Sequence, residues 1–85
     1  MGERATYFVA LPFCRSEDGE IIAGEARDFQ QSTAAVRGAQ FMVADPKICG
    51  AVAFSRTGDP ALGDWEDAVI IRQFGEIGDL TAYGA

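Results

Sequence analysis

The chain has no histidine and only two cysteines in 85 residues, and its seven basic residues are outnumbered by thirteen acidic ones. Each shortage closes a class of chemistry. Without histidine there is no Ser-His-Asp or Cys-His nucleophile system. Cys14 and Cys49 lie far apart and form no Cys-x-x-Cys pair, so the usual four-ligand zinc sites have no donors. The bases Arg4, Arg15, Arg27, Arg37, Lys47, Arg56 and Arg72 stand singly and build no stripe that would hold a phosphate backbone. Net charge is −6, so no nucleic-acid partner is expected. No apolar run approaches the roughly 18 residues of a membrane span. MGERAT carries no basic stretch followed by an apolar one, so neither a secretory signal nor a membrane association is expected, and the reading is cytoplasmic. Both cysteines sit in apolar strand contexts and are expected as free, buried thiols without a disulfide.

Hydrophobic residues make up 48% of the chain and charged residues 24%, the balance of a folded acidic domain. One domain spans 1–85, with an ordered core over about 5–77 and a fraying tail over 78–85. Tyr7–Cys14 is a run of eight non-polar residues, so a strand over about Ala5–Cys14 is apolar on both faces. Pro12 cannot donate a ladder hydrogen bond, which implies either an end near Leu11 or a bulge. Ser16-Glu17-Asp18-Gly19 supplies a turn, and Glu20–Arg27 reads as a mixed edge strand. Ser32 is a candidate N-cap for a helix over Thr33–Ala44. Ala35, Val36, Ala39, Met42 and Val43 share one helical sector, and Phe41 points away from it. Strands over about Ile48–Arg56 and Asp67–Gly75 flank a loop rich in Gly, Pro and Asp that also carries Trp65.

The predicted fold class is α+β: a ββαββ domain with a four-stranded, mainly antiparallel sheet in order 2-1-3-4 and one amphipathic helix on one face. A short alanine-rich helix covers only part of such a sheet. The apolar second face of strand one therefore calls for a cover, either another copy of the chain or the loop and tail of a monomer. Candidate interface residues are Tyr7, Phe8, Val9, Leu11, Phe13, Phe41 and Trp65. The parity of strand one that faces outward is open. Arg56 and Arg72 are candidate anion contacts for a pocket at a dimer seam. The carboxylates Asp59, Asp64, Glu66 and Asp67 do not follow the alternate spacing of a calcium loop and read as a solvated turn.

YFVALPF and GAVAFSRTGDP…DAVIIRQFGEI together resemble a group of small bacterial proteins of unestablished function, a likeness covering most of residues 6–77. That resemblance implies bacterial origin. Tyr7-Phe8-Val9 and the Ser32–Ala44 helix also resemble HicB-like antitoxins, which implies an acidic, dimerising partner of a toxin. The Pro-Gly-Cys-type turn of that family is absent here, as is a recognisable DNA-binding tail. The leading expected function is non-enzymatic, through homodimerisation or protein–protein interaction by the sheet; the alternative is small-molecule or anion binding or catalysis at a dimer-seam pocket, using Arg56, Arg72 and the loop carboxylates. No cofactor and no metal are expected.

Overall fold

The computed structural model describes residues 4–59 and 61–78. The predicted fraying tail lies, apart from Gly78, outside the described residues. The fold is α+β, and among the described residues it has one helix and an antiparallel sheet of six strands where four were predicted. In chain order these are β1 (Ala5–Arg15), β2 (Ile21–Ala23), β3 (Arg27–Phe29), α1 (Ser32–Met42), β4 (Gly50–Asp59), β5 (Asp64–Trp65) and β6 (Val69–Gly75). β1 and β4 form the centre, paired from Ala5↔Gly58 to Phe13↔Gly50. β2 and β3 both lie along the far side of β1, and β5 and β6 both lie along the far side of β4. Among the described residues no helix is long and apolar enough to cross a membrane.

The extra strands come from two interruptions. The expected strand over Glu20–Arg27 is split at 24–26. It pairs with Phe13–Arg15 on one side of the split and with Phe8–Ala10 on the other, so three residues face two of β1. Pro12 stands opposite this split. It neither ends β1 nor bulges it, because β1 runs on to Arg15 with Pro12 paired to Ala51. The Pro12 carbonyl accepts from the Gly24 N–H at 2.8 Å on the β2–β3 side. In an extended strand a residue's N–H and C=O point to one side, so the donor that proline lacks would have faced the same edge. The missing bond coincides with the break. On the other flank the loop lends a two-residue strand, β5, to the end of β4.

The helix begins one residue earlier than predicted and ends two earlier. Gln31, extended at φ −137 and ψ 150, occupies the N-cap position without a side-chain bond, so Ser32 is not the cap. At the other end Ala44 and Asp45 donate to Phe41 and Met42, contacts three residues apart that tighten the last turn before Pro46.

Alternation along β1 and β4 divides the core into two layers. On the helix side Ala10, Ala51 and Ala53 meet Ala35 and Ala39, all fully buried. Methyl against methyl lets the helix lie close to the sheet, and Phe8, Phe29, Val36, Met42, Val43 and Phe74 close the rim. On the other side Val9, Leu11, Phe13, Val52 and Phe54 form a second cluster of larger side chains, packed by Ile21, Cys49, Ala68 and Ile77. Gly78 also lies over Phe13, where an added methyl would stand 3.2 Å from the ring.

A candidate interaction groove beside the helix

That second cluster corrects the expectation of an uncovered sheet face. Val9, Leu11 and Phe13 do face away from the helix, yet they are buried within the chain. Phe8 faces the helix and packs at its rim. The apolar centre of strand one is therefore not offered to a partner. Of the seven candidate interface residues, Tyr7 and Phe41 are exposed, and Trp65 is half-buried.

Four of the predicted residues do converge. Tyr7, Val9, Arg56 and Trp65, with Asp28, line a small cleft of about 230 Å³ on the face away from the helix. The rings of Tyr7 and Trp65 lie 5.6 Å apart, and the Arg56 guanidinium sits 4.7 Å from the Trp65 ring centre, close enough for a cation–π contact. Gly58 makes room for this arrangement, because a Cβ there would meet the Trp65 ring at 2.7 Å. Arg72 is elsewhere. It pairs with Ala53, a helix-side residue, and lies 5.6 Å from the Phe74 ring centre. Arg56 pairs with Tyr7, whose parity is that of the opposite face. The two arginines thus stand on opposite sides of the sheet and form no common anion site.

The loop carboxylates are likewise distributed. Asp59 is buried, and its Oδ1 accepts from the Ala61 N–H at 2.9 Å, which makes it a turn-forming residue and not a solvated one. Asp64 and Glu66 hold Arg4 at 3.4 and 2.6 Å. The Glu66 hydrogen bond, with the nearby negative charge, raises the Arg4 guanidinium further above its ordinary value. Cys14 and Cys49 are free thiols, and the Cys49 Sγ donates to the Phe13 carbonyl at 3.3 Å.

The larger concavity lies between α1 and the broken edge of the sheet. Its geometry follows from Gly38. A Cβ at that position would overlap the tip of the Phe29 ring, so only glycine lets the β3 aromatic come this close to the helix. Two hollows flank the contact. One, of about 360 Å³, is lined by Phe29, Gln31, Thr33, Ala34, Arg37, Gly38 and Phe41. The other, of about 770 Å³, opens where β2 and β3 part, and is floored by Pro12, Phe29, Met42 and Ile48. Glu25, Arg27 and Asp45 stand along it. Phe41 belongs to both hollows and is 83% exposed. Sequence patterning singled out Phe41, the one large apolar residue off the helix stripe. It missed Phe29 and Gly38, since a glycine inside a helix carries no sign of which ring will rest on it. Comparison of the chain with family models, with curated proteins and with solved structures gives no match.

Proposed function

We propose that the chain is a non-enzymatic interaction protein that docks another polypeptide through the groove beside α1. The observation that carries this reading is Phe41. Phe41, 83% exposed in the last turn of the helix with a hollow on either side, extends the apolar lining of Phe29, Met42 and Ile48 into one contiguous patch, the kind of surface that marks an interaction site. Covering such a ring is worth about 1.5–3 kcal/mol, and aromatic anchors of this kind dominate binding at protein interfaces. The floor of Pro12, Phe29, Met42 and Ile48 is apolar, and the charges stand along it, the anatomy of an interface with an apolar centre and a polar margin.

Photo-cross-linking tests the reading. A benzoylphenylalanine placed at position 41, in the cells that express the chain, should give a discrete cross-linked product. The same group at Glu17, in the β1–β2 turn, should give none. Absence of any product at position 41, or equal products at both positions, removes the docking role.

A further inference from the structure

We infer that the occupant of this groove is a second copy of the chain, packed antiparallel through α1 about a two-fold axis beside Phe41. The inference rests on the docking role proposed above and adds the identity of the partner. Arg37 lines the first hollow, Asp45 the second and Phe41 both, so the three form one stripe along the groove side of α1 and the turn beyond its end at Met42. The order along the stripe is cation, aromatic, anion, with the aromatic midway. A two-fold axis at its middle turns the stripe end for end. Each Arg37 then faces Asp45 of the second copy, and the two Phe41 rings meet beside the axis, each against the other copy's hollow over Phe29 and Gly38. A closed dimer uses the same patch twice, so a stripe with one sign of charge at both ends would repel itself; this stripe complements itself.

The two charges are available for the purpose. The ion pairs of the described residues join Arg4 to Asp64 and Glu66, and Arg15 to Glu76. None of them engages Arg37 or Asp45. Asp45 accepts the Lys47 N–H through Oδ1 at 2.9 Å, which leaves a carboxylate with further acceptor capacity at the end of the stripe.

Charge reversal provides the test. Light scattering coupled to size exclusion, over a concentration series, should show the wild-type chain passing from 9.1 kDa to twice that mass. Arg37→Asp and Asp45→Arg should each weaken association by about tenfold or more, since each places like charges opposite one another twice. The double variant should recover wild-type association, and an equimolar mixture of the two single variants should form a mixed dimer. Both positions are exposed, so unchanged far-ultraviolet circular dichroism should accompany each variant. A wild-type mass of 9.1 kDa at every concentration overturns the second copy as partner, as does a double variant no tighter than the single ones. The cross-linking outcome separates the two levels. A position-41 product with a different protein keeps the docking role and removes the second copy; no product removes both.

Discussion

Gly38 carries two opposing demands. As a helix-interior glycine it costs about 1 kcal/mol relative to alanine. Replacing it by alanine would regain that amount but drive a methyl into the Phe29 ring, an overpacking that costs about 1–3 kcal/mol. The second effect is the larger because three atoms of one rigid ring lie within 3.2 Å of the added methyl and must move together. Gly38→Ala should therefore lower unfolding free energy in urea by about 1 kcal/mol, while adding Phe29→Leu should return it to at least the wild-type value. A stabilised single variant would show that Phe29 moves aside freely. Residues at this scale were legible where periodicity alone decides. Phe41 was marked by its angle on the helix, and the alanine stripe by its spacing. The partnership of Gly38 with Phe29, like that of Gly58 with Trp65, depends on contact between distant segments and leaves no local pattern.

At the scale of elements, β1, β4 and the edge strand β6 were readable and the short edge strands were not. β1 and β4 announce themselves by being apolar on both parities, which only a doubly covered strand tolerates. β2, β3 and β5 are two or three residues long, too short for alternation to register, and exist because β1 and β4 offer free ladder groups. Their boundaries are set by the partner: the β2–β3 split answers to Pro12, a residue in another strand. Hydrogen exchange should separate the two kinds of strand. Amides of Ala51–Phe54, in a strand paired on both flanks, should open only with global unfolding. The Gly24 amide, held by the Pro12 carbonyl at an edge, should exchange at least about tenfold faster, because it needs only local opening. Equal protection at both places would mean that the edge is no weaker than the centre.

At the scale of the whole molecule, the apolar surfaces beside α1 and along β6 differ in kind. Beside α1 the exposed ring faces concave walls. Along β6, Val69, Ile70 and Ile71 are 62%, 45% and 38% exposed on a strand that pairs only with β4 among the described residues. Ile71 is an extra residue between Ile70, opposite Phe54, and Arg72, opposite Ala53. A bulge followed by a charge is how natural sheets keep an edge from recruiting further strands. This surface is a liability held in check, and its most exposed member can be replaced without loss. Val69→Lys should reduce turbidity on heating while changing unfolding free energy by no more than about 0.5 kcal/mol. Turbidity equal to wild type would show that β6 plays no part in aggregation. The covered sheet face could not be read from sequence for a related reason. Apolarity on both parities states that a cover exists, and the same pattern serves whether Ile21, Cys49, Ala68 and Ile77 of the same chain provide it or a partner does.

The central ladder has one more consequence, and it concerns time. Its contacts join residues far apart in the chain, from 37 positions between Phe13 and Gly50 to 53 between Ala5 and Gly58. Closing loops of that length comes before any reward, so the pairing of β1 with β4 is expected to limit the folding rate and to slow it relative to helical proteins of this size. On the ribosome, β1 must wait, apolar on both faces, until β4 has emerged.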